Sequence, residues 1–471
     1  MKYIVFKTSS GKYGVKKEDG VRAIKTFDDE KEAKEYAEKM TKKSNQNTKT
    51  NTKKNNSSKQ NDDLITKKVK KQTKKAKRKI KKLIITIIIL LVASLLSFVF
   101  YKYIYPMLPI SSSSSFNPSE ANIGTIYDDF QIHFMQIGNN KNGDAIYIKA
   151  GDNDILIDAG ASNTSTIKNY MDKYVKDNKL EYVIVTHSDS DHLEGIVGTK
   201  ANPGILDSYE IDTLIDFNYV VNETQLYKNY VEKRSNLVSE NKIKHLTVAE
   251  CLDNGNKDEA SYDLGNGISM NILYNKYYFE PSKNNNDHSV ITLFKYNNHN
   301  FLLTGDLEED GEKAFVEHYK NKNFPNVDLY KAGHHGSKTS SNAEFLSLIK
   351  PSICVASCSA GNPEYTNNYL NVFPTQDFVT RISKYTDQVF ATSYGMDSEE
   401  KPLNGNVIVS CDGNSTAVAC SNNVTLLKDT EWFNSKIYVK EDNTFTSGKA
   451  KKDYFTKDTK GTKEVPFRIW G

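Results

Sequence analysis

Four potential metal ligands fall within the six residues His187–His192, which read His-Ser-Asp-Ser-Asp-His. The segment directly follows a short apolar run that is typical of a buried strand. An extended exit from a strand points residues i and i+2 to the same side, so His187 and Asp189 could hold one ion. If the chain then turns into a helix, Asp191 and His192 could face a second ion. Imidazole nitrogen and carboxylate oxygen are apt ligands for Zn²⁺ and also for Mn²⁺.

Further ligand-type residues stand just past other apolar runs. Asp158 follows Ile155–Ile157, Asp306 follows Phe301–Leu303, and the pair His334-His335 follows the run 327–332. A lone Asp at such a place is usually a turn or a helix cap. Because several such placements coincide, we interpret them as one constellation at the ends of strands. Helical stretches such as 165–177 and 310–321 alternate with these runs, which predicts a mixed α/β fold.

Taken together, the motifs resemble the metallo-β-lactamase fold. They are Asp158, His187-Ser188-Asp189-Ser190-Asp191-His192, Thr304-Gly305-Asp306 and His334-His335-Gly336-Ser337. More narrowly, they are similar to the hydrolase domain of ComEC-type DNA-uptake (competence) proteins, which have Asp at the position of Asp189. An Asn-Asp-x-Ser element of that subgroup is matched by residues 286–289, and the resemblance covers about residues 130–415.

The resemblance implies a four-layer αββα sandwich with two divalent metal ions between the loop ends of its two sheets. Zn²⁺ is the expected ion, with Mn²⁺ as the alternative. Asp306 would bridge the two ions, and one of the two adjacent histidines would complete the second ion's set. The implied ligands are His187, Asp189, Asp191, His192, Asp306, His334 or His335, and His288 or Asn286.

The implied reaction is hydrolysis, with Asp191 or Asp158 accepting the proton of the attacking water. Asp158 could also support a ligand or a loop from behind. The implied substrate-binding residues are Gly336, Ser337, Lys338, Thr339 and Ser340. Their backbone N–H groups, hydroxyls and ammonium suit an anionic phosphodiester, although the same composition also fits a capped helix start at Ser340–Ser341.

The segment 83–101 carries no charge over nineteen residues, which span about 28 Å as a helix. Eleven Lys or Arg residues in 67–82 precede it, so the positive-inside rule places the N-terminus in the cytoplasm and the C-terminal body outside. We therefore expect a single-pass protein of the cell membrane. The predicted segments are a basic low-complexity linker over 41–82, a transmembrane helix over 83–104, a second linker over 105–125, a hydrolase domain over 126–430 and a C-terminal tail over 431–471.

Residues 1–40 predict a small ββα domain. Tyr3–Phe6 and Tyr13–Lys16 read as short strands, and Asp29 begins a helix that extends to about Met40. The outline resembles a small bacterial domain family of unknown function. On the predicted topology this domain is cytoplasmic and could bind a partner there.

Charge is divided unevenly along the chain. Residues 1–82 carry 27 Lys or Arg against 10 Asp or Glu, and the remainder carries 36 against 49. Non-specific DNA binding depends on Lys and Arg that neutralise phosphates, so an acidic body does not favour DNA on charge alone. We expect a membrane-anchored, outward-facing phosphodiesterase, with nuclease activity on DNA as the leading form. The alternatives are a hydrolase of cell-wall polymer phosphodiesters, such as phosphocholine esters, and a non-catalytic, metal-stabilised binding component of a DNA-uptake or surface assembly.

Five cysteines are too few for a disulfide framework. Cys411 and Cys420 flank a turn and could pair outside the membrane if their Cα atoms come within about 7 Å. Cys354 and Cys358 lie on or near a predicted buried strand, and we expect them to be core thiols.

Overall fold

The computed structural model describes residues 2–49, 121–138, 142–160, 164–361, 368–394, 404–434, 437–442 and 460–465. The chain divides into two compact units, 1–115 and 116–471, and each is described by itself. The predicted transmembrane helix over 83–104 lies outside the described residues. Among the helices that are described, none is long and apolar enough to cross a membrane.

The N-terminal unit is a three-stranded antiparallel sheet with one helix. Strands β1 (Tyr3–Lys7), β2 (Tyr13–Lys17) and β3 (Lys25–Phe27) precede helix α1 (Glu30–Lys49). The predicted ββα outline was therefore wrong in omitting β3, which is short and pairs with β2 through Tyr13 and Phe27. The Asp29 carboxylate accepts a hydrogen bond from the backbone N–H of Glu32 (3.0 Å), as the capping pattern predicts.

The second unit contains a nine-stranded sheet in the order β10-β9-β8-β7-β6-β5-β18-β19-β4. Strands β7, β8, β9 and β10 are parallel, and so are β19 and β4. Each neighbouring pair from β7 to β19 is antiparallel. The strands are β4 (Asn122–Ile123), β5 (Phe130–Phe134), β6 (Ala145–Ala150), β7 (Asn153–Ala159), β8 (Lys179–Val185), β9 (Glu210–Asp216), β10 (Lys244–Thr247), β18 (Val407–Cys411) and β19 (Thr416–Cys420).

A seven-stranded sheet in chain order, β11 to β17, forms the other half of this unit. Its strands β14 to β17 are parallel. The strands are β11 (Glu259–Gly265), β12 (Ile268–Leu273), β13 (Thr292–Tyr296), β14 (His299–Leu303), β15 (Leu329–Lys331), β16 (Ile353–Ala360) and β17 (Val389–Tyr394).

The helices of the second unit mostly connect parallel strands, as mixed α/β folds require. They are α2 (Thr164–Met171), α3 (Ser190–Val197), α4 (Ile205–Ser208), α5 (Gln225–Ser239), α6 (Val248–Cys251), α7 (Glu309–Tyr319), α8 (Ala343–Ile349), α9 (Gln376–Ile382) and α10 (Glu431–Asn434). The predicted mixed α/β class is confirmed.

The two sheets pack face to face around one apolar core. Phe130 of β5 lies 4.9 Å from Phe301 of β14, measured between ring centroids. Alternate residues of the seven-stranded sheet face opposite ways, because side chains alternate along a strand. Phe301 joins the core between the sheets, whereas Leu302 joins a second core beneath α7, α8 and α9. The sandwich is thus covered by helices on the outer side of the seven-stranded sheet.

The parallel strands bring the predicted ligands to one edge. Asp158 ends β7, and His187 follows the adjacent parallel strand β8. Asp306 follows β14, and His335 follows the adjacent parallel strand β15. Because carboxyl ends of parallel strands meet at the same edge, each sheet contributes its ligands there.

Two features near the C-terminus differ from expectation. Cys411 pairs with Thr416 in the β18–β19 hairpin, whereas Cys420 pairs with Val407, four residues away or about 13 Å along the strands. The condition for a Cys411–Cys420 disulfide is therefore not met, and all five cysteines are free thiols. Cys354 and Cys358 are buried, as predicted.

The segment expected to be a tail contributes to the fold where it is described. Trp432 and Val439 are buried in the second core. Val439 lies on β20 (Ile437–Lys440), which pairs with β21 (Thr462–Val465) in a separate two-stranded sheet.

Candidate metal centre

One carboxylate, Asp158, orients two of the histidines. Its Oδ1 accepts a hydrogen bond from the backbone N–H of Thr186 (2.8 Å), and its Oδ2 accepts from the Thr186 hydroxyl (2.6 Å) and from Nδ1 of His192 (2.8 Å). Because the hydroxyl proton points to Asp158, the hydroxyl oxygen accepts from Nδ1 of His187, 3.0 Å away. Both imidazoles therefore keep Nε2 for another partner.

Asp306 forms a group of four side chains with Asp191, His192 and His335. Its Oδ2 lies 3.1 Å from Nε2 of His192 and 3.1 Å from Nε2 of His335. Nε2 of His335 lies 3.4 Å from Oδ2 of Asp191. One ligand atom from each of these four residues falls within 4.8 Å of the others. Two carboxylates and two imidazoles at this spacing could hold a divalent ion.

His334 occupies a different place from its neighbour. Its Nδ1 lies 2.7 Å from Oε1 of Glu308, and its Nε2 lies 3.8 Å from Oδ2 of Asp306. The backbone φ angles of His334 and His335 are +43° and +55°, and that of Asp158 is +55°. Non-glycine residues seldom adopt this left-handed region, and such strain is concentrated at functional sites.

The buried nitrogens fit a metal ion. Nε2 of His187, His192 and His335 has no hydrogen-bond partner among the described residues, although all three rings are buried. An unpaired polar atom in the interior is costly, and buried polar atoms are nearly always bonded. A bound cation would give all three atoms a partner, so the residues present match the requirements of a metal centre.

Charges within the centre depend on one another. Burial lowers the pKa of His335, but the Asp306 and Asp191 carboxylates outweigh burial and raise this pKa to about 9. Burial likewise raises the pKa of Asp306, yet His192 and His335 bring it well below the usual range. Because metal ligands must be deprotonated, metal binding at this centre would release protons and depend on pH.

The other ligands predicted for the first ion are less closely gathered. Asp189 Oδ2 lies 3.9 Å from Nε2 of His187, while its Oδ1 accepts a hydrogen bond from Asn285 (2.8 Å). His288 uses Nε2 to accept the backbone N–H of Ser282 (2.9 Å), and Asn286 donates to Glu308 (3.1 Å). His288 does not lie in a ligand group within the described chain. The ligand set of the first ion remains a prediction.

Two residues of the centre were not anticipated from the sequence. Asp144 precedes β6, and the antiparallel pairing of Ala145 with Ala159 places it beside the end of β7. Lys331 is the last residue of β15, and its Nζ lies 2.6 Å from Oδ2 of Asp144 and 3.0 Å from Oδ1 of Asp306. Asp144, Asp158 and His192 also form a second close group of potential ligands.

Glycines allow the elements to approach each other closely around Asp191. A Cβ atom on Gly160 would lie 2.3 Å from the carbonyl oxygen of Asp191, and one on Gly195 would lie 2.3 Å from that of Ala159. A side chain at either position would push α3 away from β7. The Asp191 carbonyl accepts a hydrogen bond from the backbone N–H of Asp144 (3.1 Å), which fixes this end of the helix.

The loop predicted to bind substrate is largely held by the protein itself. Ser340 and Ser341 are buried, and Glu312 accepts the backbone N–H groups of Ser341 (2.6 Å) and Asn342 (2.7 Å). Arg381 donates to the carbonyl oxygens of Lys338 (2.9 Å), Ser340 (2.7 Å) and Ser341 (2.8 Å). Helix α8 begins directly after these hydrogen-bonded residues.

Within the same loop, Gly336 and Ser337 are buried and Lys338 is exposed. The Thr339 hydroxyl donates to Glu308 (2.9 Å). Binding of substrate by residues 336–340 therefore remains a prediction, with Lys338 and Thr339 as the accessible members.

A cavity of about 550 Å³ opens beside the centre. Three carboxylates among the predicted ligands, Asp189, Asp191 and Asp306, line it together with Glu194, and so do His334 and Asn286. Glu308, which contacts His334, lines a second cavity of about 510 Å³ with Glu309, Asp310 and Lys283. Lys283 is the one Lys or Arg among the lining residues of these two described cavities. The approach to the centre is therefore acidic.

Comparison with known proteins agrees with this geometry. Residues 138–202 match the metallo-β-lactamase superfamily. This segment contains the β6–β7 hairpin and the histidine–aspartate motif that follows β8. The metallo-β-lactamase resemblance read from the motifs is thereby confirmed. Residues 3–62 match a second family, described as an uncharacterized protein conserved in bacteria.

Curated relatives are competence proteins. The chain is 26% identical to ComE operon protein 3 of Bacillus subtilis over 187 residues, which cover 39% of this chain and 20% of the relative. It is 31% identical to Recombination protein 2 of Haemophilus influenzae over 108 residues, or 23% and 12% of the two chains. Competence protein ComA of Neisseria gonorrhoeae is 34% identical over 91 residues, or 19% and 12%. The chain thus spans a fifth or less of the length of these relatives, and the ComEC-type resemblance is confirmed.

Solved structures similar to the chain include the metallo-β-lactamase fold protein YhfI from Bacillus subtilis. The two chains have a TM-score of 0.33 at 12% identity. The match covers 56% of this chain and 96% of YhfI. The short form of human tRNase Z has a TM-score of 0.28 at 12% identity, covering 48% and 91%.

Proposed function

We propose that the chain is a metal-dependent hydrolase of phosphodiesters, with a dinuclear centre at the edge of its two sheets. The observation that carries this proposal is the group formed by Asp191, His192, Asp306 and His335, in which both imidazoles present a buried Nε2 without a hydrogen bond. His187 supplies a third such nitrogen beside it. Divalent ions there would polarise a phosphoryl group and lower the pKa of a water molecule.

The surrounding residues have distinct roles in this proposal. Asp306 presents Oδ2 between the ligands and is the candidate bridge. Asp191 borders the cavity, so its carboxylate can reach a water molecule and accept a proton. Asp158 is buried and its oxygens bind Thr186 and His192, which supports an orienting role rather than proton transfer. Zn²⁺ is our leading choice, since imidazole and carboxylate suit it, with Mn²⁺ as the alternative.

DNA is the leading specific substrate because the curated relatives are a recombination protein and competence proteins. A second candidate is a small phosphodiester or a wall polymer with a cationic group, such as a phosphocholine ester. The acidic lining of both cavities favours this candidate, because polyanions need Lys and Arg to neutralise their phosphates.

The cellular location and membrane topology are also part of this proposal. The apolar run 83–101 and the basic residues before it support a membrane anchor with the second unit outside. Residues 1–40 would then lie in the cytoplasm, where a partner could bind them. Protease accessibility of the two units in intact and opened cells would test this topology.

The decisive assay compares hydrolysis of bis(p-nitrophenyl) phosphate, single- and double-stranded DNA and a phosphocholine ester by the full-length chain with Zn²⁺ or Mn²⁺. The test variant is Asp191→Ala. The matched control is Asp212→Ala, which removes an exposed carboxylate that pairs with Lys179 (2.6 Å) on the same sheet.

We expect metal-dependent turnover that Asp191→Ala abolishes and Asp212→Ala retains. DNA cleavage would establish a nuclease, whereas cleavage of the small esters alone would favour the second candidate. A chain that binds two ions and hydrolyses none of the four would support a non-catalytic binding component and contradict the proposal.

A further inference from the structure

The ammonium of Lys331 is buried completely within the centre. Its Nζ donates to the carbonyl oxygen of Gly305 (2.7 Å) and to Oδ1 of Asp306 (3.0 Å), and it lies 2.6 Å from Oδ2 of Asp144. Two of these contacts are hydrogen bonds, and the third is an ion pair with the Asp144 carboxylate. A buried charge persists only when paired in this way.

The two oxygens of Asp306 have different surroundings. Oδ1 is bound by Lys331, whereas Oδ2 faces Nε2 of His192 and of His335, at 3.1 Å from each. A free carboxylate could rotate or present both oxygens to one ion. With Oδ1 held, Oδ2 is the oxygen left for the metal side.

Asp144 lies on the other side of the imidazoles. Its Oδ1 is 3.7 Å from Nδ1 of His335, and its Oδ2 is 3.9 Å from Nδ1 of His192. Lys331 therefore contacts both carboxylates. Asp306 faces the Nε2 atoms of His192 and His335, and Asp144 faces their Nδ1 atoms. Without this ammonium, two buried carboxylates would be left near the same pair of rings.

We propose that Lys331 is a positioning residue for the metal centre. It holds Asp306 so that a single oxygen faces the ions, and it keeps Asp144 behind the imidazoles and out of the coordination set. The inference rests on the proposed function, because it concerns the same centre. It adds a residue that acts through Asp306 and does not itself touch the ions.

Charge alone predicts the opposite effect on metal affinity. A cation this close repels divalent ions, so its removal would tighten their binding if electrostatics decided the outcome. A positioning role predicts weaker binding, since groups that orient metal ligands typically contribute 10- to 100-fold in affinity. The sign of the change therefore separates the two explanations.

The test uses a background in which Asp144 needs no cation. Lys331→Met alone would leave the Asp144 carboxylate buried and unpaired, which destabilises a fold strongly. We therefore compare full-length chains that carry Asp144→Asn with and without Lys331→Met. Circular dichroism establishes folding, elemental analysis gives the bound metal, chelator competition gives the Zn²⁺ affinity, and the visible absorption of bound Co²⁺ reports coordination.

We expect the added Lys331→Met to weaken Zn²⁺ binding by about 10- to 100-fold and to shift the Co²⁺ bands. The control Lys295→Met removes a lysine of the same sheet that pairs with Glu259, and it should leave both readouts unchanged. Equal or tighter Zn²⁺ binding in the double variant overturns the inference. If the unaltered chain binds no metal, the proposed function fails as well, so the two failures are distinguishable.

Discussion

Buried histidines of the second unit differ in how their ring nitrogens are hydrogen-bonded. His133 on β5 has both ring nitrogens bonded, with Nδ1 at 2.8 Å from the Tyr170 hydroxyl and Nε2 at 2.9 Å from Oε1 of Gln131. At the candidate centre, His187 and His192 have Nδ1 bonded and Nε2 without a hydrogen bond. The His133 ring is thus a packing group, whereas His187 and His192 each present Nε2 to a metal ion in the proposed centre.

The surroundings reinforce this difference. The ring of His133 packs among Tyr147, Tyr170 and Tyr174, at centroid distances of 4.6–5.8 Å, and burial lowers its pKa to about 3. The His192 ring lies among carboxylates, and Asp306 and Asp158 overcome burial to raise its pKa well above the usual range. Burial alone therefore does not distinguish His192 from His133, whereas the carboxylates around the His192 ring do.

The largest effect should come from removing the oxygen shared by the ligand group. We expect Asp306→Ala to lower bound metal from about two ions to one or fewer and to reduce turnover by more than about 100-fold, beyond the usual effect of a supporting residue. Elemental analysis and the phosphodiester assay measure both. His133→Gln, a buried change in the same unit, should retain the metal. Full activity in metal-replete Asp306→Ala would contradict the dinuclear scheme.

The next effect separates two adjacent histidines. His335 belongs to the ligand group, whereas Nδ1 of His334 is bonded to Glu308. We expect His335→Ala to weaken Zn²⁺ binding by at least about 100-fold and His334→Ala to weaken it by less. Chelator competition on the two variants measures the difference, and each serves as the control for the other. The reverse order would assign His334 to the ion instead.

A smaller effect is expected from the carboxylate that orients two ligands. Asp158→Asn keeps the size of the side chain but removes the charge that binds Thr186 and His192, so affinity should fall about 10-fold or more. Asp154→Asn is the matched control, because Asp154 lies on the same strand and binds Tyr147 instead. Equal metal affinity in the two variants would show that Asp158 does not act on the ligands.

The parts of the centre that follow strands could be predicted from the sequence. Asp158 is the penultimate residue of a parallel strand, and His187, Asp306 and His335 stand just past such strands, where the topology brings side chains to one edge. Asp144 does not fit this pattern, because it precedes a strand. Only the antiparallel register of β6 with β7 places it at that edge. A ligand search that covers both ends of each hairpin would find it.

Lys331 and His288 show two further limits. Lys331 follows Leu329 by two positions on a buried strand, so alternation already places its side chain on the side that faces the core, where a Lys needs an anionic partner. The alternation of this strand therefore indicates a buried anionic partner for Lys331. No local pattern in the sequence shows that the backbone of Ser282 folds back onto Nε2 of His288. Contacts of this kind depend on loops, which periodicity does not describe.

The smallest effect concerns His133 and appears as acid sensitivity rather than as lost metal. Its folded pKa of about 3 lies below the unfolded value of about 6.5, so stability is fully present above pH 6.5 and is lost as pH falls toward 3. Lowering the pH from 7.5 to 5 should reduce the unfolding free energy by about 2 kcal/mol through this group. His133→Gln should remove that part of the pH dependence of stability. Urea titrations of both chains at the two pH values measure it. Identical slopes would mean that the ring already takes up a proton in the folded state, and its contrast with the ligand histidines would disappear.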